Sequence, residues 1–141
     1  YYSKSHYLDA IPDAAIETIV AHTDRLPGPL TQVTFEPMGG AISDVPADAT
    51  AFAHRDAAYS LGIWPGWRKP EHDDEMINWA RAFHDAMAPF ASGVYTNYLD
   101  RDEDERVSDA YGDNYDRLVA VKDRWDPENL FRINQNIEPS T

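Results

Sequence analysis

Tyr95-Thr96-Asn97-Tyr98 sets an amide between two phenols within four residues. If this stretch is extended, Tyr95 and Asn97 point to one side and Thr96 and Tyr98 to the other. Such groups, buried without partners, cost on the order of 1–3 kcal/mol each. They therefore satisfy one another or turn their donors and acceptors toward a ligand. The plain alternative is an aromatic strand that ends in a turn-forming asparagine.

Other chemistries find less support. Asp100, Asp102 and Asp104 alternate like the start of a calcium loop, which needs Gly at position 6 and Glu at position 12. Those positions hold Glu105 and Tyr111, so the motif fails and the acidic run reads as a solvated loop entering a helix. His6, His22, His54, His72 and His84 are scattered with no H-x-x-x-H pair, and cysteine is absent; no metal site is expected. G-x-S-x-G, G-x-G-x-x-G and P-loop patterns are also missing, which removes the main support for a hydrolase or a free-standing nucleotide-binding unit.

The elements that would position these residues follow from periodicity. Residues 1–8 alternate loosely and read as an edge strand. Pro12, with Asp13 and Glu17, suits a helix start, and Ile16, Ile19 and Val20 continue it to Pro27-Gly28-Pro29. Strands are expected at 31–36, near 51–55, and through 57–64. The clearest helix covers 73–88, with Met76, Trp79, Ala80, Phe83 and Met87 at three- and four-residue steps. A second covers 106–125, with Val107, Ala110, Tyr111, Leu118, Val121 and Trp125 as its inner stripe. This order predicts an α+β fold, an antiparallel sheet with helices over one face.

With 43% hydrophobic residues, the 141-residue chain can build a core despite a net charge of -13. That charge argues against nucleic acid and anionic membrane surfaces, both of which call for clustered Lys and Arg. A small neutral or cationic ligand is the easier partner. No run reaches the roughly 18 apolar residues of a membrane span. The compartment stays open, with the cytoplasm favoured.

Three further motifs lie in order along the chain. After Y-x-N-Y come Ala110-Tyr111-Gly112-Asp113-Asn114-Tyr115-Asp116-Arg117-Leu118, Asp126-Pro127-Glu128-Asn129-Leu130-Phe131, and Asn134-Gln135-Asn136-Ile137. Upstream stand Gly39-Gly40-Ala41-Ile42 and Phe52-Ala53-His54-Arg55, with Ala53 where Pro is usual. The set resembles the C-terminal region of berberine-bridge-enzyme-like FAD-linked oxidases. The resemblance implies part of the substrate domain of a vanillyl-alcohol-oxidase-type flavoprotein: residues 1–94 as a substrate-domain segment, 95–141 as a flavin-closing segment. It also implies that the N-terminal FAD-binding domain is not part of these residues and would be their partner.

By the same resemblance, Tyr98 matches a catalytic base. Tyr95 and Asn97 match residues against the isoalloxazine, and Asn134 and Gln135 match a tail passing near the flavin. Glu36 falls where some members contact substrate. Around Ser60, Leu61 and Gly62 some relatives carry Glu or Gln; none is present here, and Glu36 could compensate. The implied function is oxidation of an alcohol, sugar or secondary metabolite by hydride transfer to FAD, with these residues inactive or self-associating when alone. A phenol, with an ordinary pKa of about 10, needs a nearby cation or hydrogen-bond donors to serve as base at neutral pH. The rival reading is a non-catalytic α+β ligand-binding or interaction module.

Overall fold

The computed structural model describes residues 1–100 and 103–140. Arg101 and Asp102, in the middle of the acidic run weighed above for calcium, lie outside the described residues. Along the chain come β1 (Lys4–Leu8), α1 (Asp13–Thr23), β2 (Gln32–Pro37), β3 (Tyr59–Trp64), α2 (Asp73–Met87), β4 (Ala91–Gly93), α3 (Val107–Tyr111) and α4 (Tyr115–Trp125). Short 3₁₀ turns link several of these, including Thr96–Tyr98.

The four strands form one antiparallel sheet in the order β2-β3-β1-β4. The expectation of an edge strand at the N-terminus is overturned: β1 is internal and all five of its residues are buried. Alternation divides the sheet's two faces. Leu8, Leu61 and Ile63 pack with Ala15 of α1 and Ala80, Phe83 and Met87 of α2 into the main core, supported by Val33 and Phe35. Helices thus cover one face, as the periodicity of 13–23 and 73–88 requires. The stripe Met76, Ala80, Phe83, Met87 is buried, and Asp73, Asp74 and Glu75 sit at the positive end of α2.

Two expected elements differ. Residues 51–55 form no strand. The loop around them is pinned by Asn114, whose Nδ2 donates to Ala47 O (2.7 Å) and Thr50 O (3.1 Å), and by Arg117, which donates to Asp48 O (2.7 Å). The single helix expected at 106–125 is broken at Gly112, whose φ of +49° lies where only glycine is unstrained. A 3₁₀ turn resets the helical phase there, so Val121 and Trp125 face outward instead of inward. The inner positions of α3, Val107 and Ala110, join Val94 and Leu99 in a second small core.

The acidic run is not a simple solvated loop either. Glu103 is buried and accepts from Lys4 Nζ at 2.8 Å and from Arg106 at 2.7 Å. Arg106 also donates to His84 Nε2 (2.9 Å), and the His84 ring stacks on buried His6. This charged knot fastens the segment after residue 100 to β1 and α2.

Candidate active site

The sheet face away from α1 and α2 carries Glu36 on β2, Ser60 on β3 and Tyr7 on β1. The three stand in one transverse row, since Glu36 and Tyr7 are both register partners of Ser60. They line an open cavity of about 560 Å³ together with Met38, Phe52, Arg55, Tyr95, Asn97 and Tyr111. The lining is mostly aromatic and aliphatic with a few converging polar groups, the usual make-up of a small-molecule site.

The Y-x-N-Y stretch is not extended. Residues 96–98 form a 3₁₀ turn, closed by a Tyr98 N–H to Tyr95 carbonyl bond of 2.9 Å. Three residues complete a 3₁₀ turn, so Tyr95 and Tyr98 share a face rather than opposing one another. Their rings meet edge to face with centroids 4.9 Å apart and planes at 82°. Asn97 is exposed, and its Nδ2 donates to Tyr95 Oη at 2.8 Å. The Tyr95 phenol and the amide thus satisfy each other in part. Tyr98 stands behind Tyr95, packed against Trp64 at 4.6 Å and 85°.

The electrostatics are those of crowded acids. Burial, then Tyr95, Tyr98 and Glu36 push the Tyr7 phenol up, well above the ordinary phenol range. Burial, then Glu36 and Tyr95 push Tyr98 up as well. Every group that shifts Tyr98 disfavours its anion. Tyr7 therefore rests as a neutral donor, and Tyr98 rests protonated.

Of the residues singled out in the sequence, Glu36, Tyr95 and Asn97 line the cavity and Tyr98 supports it. Asn134 does not join them. With φ +64° it lines a separate polar groove of about 480 Å³ beside Asn129, Arg132 and Asn136. Gln135 lines neither, its Nε2 donating to Leu99 O at 3.0 Å and tying the tail to the residue after Tyr98. Among the described residues no three His, Cys, Asp or Glu side chains converge to hold a metal ion.

Sequence reasoning missed Tyr7, Phe52 and Arg55 as cavity residues. Arg55 lies over the Phe52 ring at 4.7 Å, donates to Ile42 O and Thr50 Oγ1, and keeps a buried Nε without a partner. The landmark Phe52-Ala53-His54-Arg55 was a signal for two of them. For Tyr7 there was none, because an apparent edge strand gives a phenol no address.

The family profile "Berberine and berberine like" matches residues 94–138, the span that holds the 95–98 turn and the tail. Over 91% of its length the chain is 33% identical to berberine bridge enzyme-like C-1 of Nicotiana tabacum. The chain belongs to the berberine bridge enzyme-like family. A second relative in sequence, the uncharacterized FAD-linked oxidoreductase YgaK of Bacillus subtilis, is 31% identical over 92% of the chain. The chain spans 28% and 29% of the length of these two proteins. The crystal structure of aclacinomycin oxidoreductase superposes with a TM-score of 0.84 and 30% identity, covering 97% of this chain and 32% of that one. The α+β fold expected of the berberine bridge enzyme-like substrate domain is thereby borne out.

Proposed function

We propose that this chain forms the substrate-facing wall of an FAD-dependent oxidoreductase site in which Tyr98, after giving up its own proton to solvent, accepts a proton from substrate as the phenolate. The observation that carries the reading is geometric: Tyr7, Tyr95 and Glu36 converge on one cavity on the sheet face away from the helices, and the Tyr98 ring packs edge to face on Tyr95 at its wall. The names of the relatives supply the flavin.

The residues suit one part of that cofactor. A neutral amide and a phenol, Asn97 and Tyr95, match a flat heteroaromatic ring that bears both donors and acceptors. Among the described residues no α-helix opens on a glycine-rich loop that could cradle a diphosphate, and the ring is the part of the cofactor these residues suit. Bound there, FAD would supply the electron chemistry, taking the hydride from a C–H bond beside oxygen or nitrogen.

The chain's own residues do the rest. Phe52, Tyr111 and Met38 offer an apolar bed for an alcohol, sugar or secondary metabolite. Glu36 takes a hydrogen bond from a substrate O–H or N–H, and Tyr7, held neutral, donates one. Pairing Glu36 with a substrate donor screens one of the groups that hold Tyr98 protonated, and so readies Tyr98 for proton transfer. Gln135 keeps the tail against this turn.

The test is anaerobic stopped-flow reduction of the flavin in the full-length protein, with a hexose, an aryl alcohol and an N-methylated amine as probes. Reduction by at least one probe, slowed roughly 10²–10⁴-fold in Tyr98→Phe, is the expected result for loss of a general base. A full-length protein that binds probes but carries no flavin would instead mark a non-catalytic binding module.

A further inference from the structure

Beside Tyr98 lies an arrangement that the reaction outlined above does not use. On β3, Trp64 is directed back along the strand over Gly62, and its Nε1 donates to Thr34 Oγ1 on β2 at 3.1 Å. Thr34 and Gly62 are register partners, so the indole bridges two strands across the gap that glycine leaves. That gap is filled. A Cβ on Gly62 would fall 2.3 Å from Trp64 Nε1 and 2.6 Å from Thr34 Oγ1. The Tyr98 ring stands on this indole at 85°, the edge-to-face geometry that aromatic pairs prefer.

We propose that Thr34, Gly62 and Trp64 form a device that positions Tyr98. Glycine opens the space, the threonine hydroxyl locks the indole's rotation, and the indole fixes the tyrosine ring that faces Tyr95. Three χ-flexible groups are thereby reduced to one arrangement before any ligand binds, which is what a proton-transfer residue requires. The inference rests on Tyr98 being the functional tyrosine, yet the positioning itself can be read without substrate.

The experiment labels the tyrosines of the full-length protein with ¹³C at Cζ, assigns Tyr98 by its loss in Tyr98→Phe, and follows its titration and linewidth. Burial is the leading cause of Tyr98's raised pKa, with Glu36 and Tyr95 behind it, and the neutral indole packs on its ring at 4.6 Å. Thr34→Val, which keeps the side chain's shape but removes the acceptor, and Trp64→Phe should both let Tyr98 titrate at lower pH and broaden or shift its resonance. Thr34→Ser, which keeps the hydroxyl, should restore the wild-type signal. Gly62→Ala should behave like Thr34→Val. If Tyr98 titrates and resonates identically in wild type, Thr34→Val and Trp64→Phe, the device does not exist. Kinetics of Tyr98→Phe judge the base role separately, so either idea can fail alone.

Discussion

Tyr95 and Tyr98 touch edge to face with their ring centroids 4.9 Å apart, because a 3₁₀ turn brings residues three apart onto one side. Tyr95→Phe is therefore not a neutral control for Tyr98. It removes the oxygen that accepts from Asn97 and one of the groups that hold Tyr98 protonated. The expected outcome is coupling: the double variant with Tyr98→Phe should differ from the sum of the single effects by about 0.5–3 kcal/mol in activation free energy. A double-mutant cycle on the rate of flavin reduction measures it.

Glu36 raises the Tyr98 pKa through its negative charge. Neutralising it with Glu36→Gln should move the ascending limb of the pH–rate profile to lower pH. The sign follows because removing a nearby anion makes the phenolate easier to form. Weaker substrate binding should accompany the shift if Glu36 also accepts from substrate. A limb that stays in place, measured over a range that extends above the ordinary phenol pKa of about 10, would detach Glu36 from the base.

His6 has its pKa lowered to about 4, chiefly by burial and then by the neighbouring His84. Between that value and the ordinary 6.5, the unfolded chain binds a proton that the folded chain refuses. Stability therefore falls as the pH drops through this window, by up to about 3 kcal/mol from this group. Denaturant melts at pH 7 and pH 4.5 should show the loss. His6→Asn should flatten part of the slope.

The ion pair between Lys4 and Glu103 is buried on both sides, with side chains 4% and 5% exposed. Glu103→Gln leaves Lys4 and Arg106 without their shared carboxylate and should destabilise by about 3–5 kcal/mol. Phe83→Ala, at the fully buried centre of the main core, should cost a similar amount through a cavity instead. The two are separable by pH, since only the first involves a charge.

Trp125, Leu130, Phe131 and Ile133 are all more than 70% exposed. The 141 residues expressed alone should therefore self-associate and bind hydrophobic dyes, and should retain no FAD through gel filtration. Light scattering that reports a dye-silent monomer, or a yellow eluate with stoichiometric flavin, would contradict this.

Local pattern alone was enough for the two helices that cover the sheet, because a 3.6-residue apolar period survives any tertiary arrangement that buries it. It was enough too for β2 and β3, whose alternation is read directly as two faces. The ordered short motifs carried the family, and with it Tyr95, Asn97 and Tyr98 as residues of interest. What they could not carry was which of these meet. The place of β1 inside the sheet depends on pairing with β3 and β4, residues more than fifty positions away, and only that pairing brings Tyr7 beside Ser60 and Glu36. The turn at 96–98 and the break at Gly112 are backbone choices set by long-range packing, and they reversed the expected facing of Tyr98 and of Trp125. Asn134, adjacent to Gln135 in sequence, lines a groove apart from the cavity, with left-handed backbone at its own position. Side-chain type is a property of the sequence; the distance between two side chains far apart along it belongs to the fold.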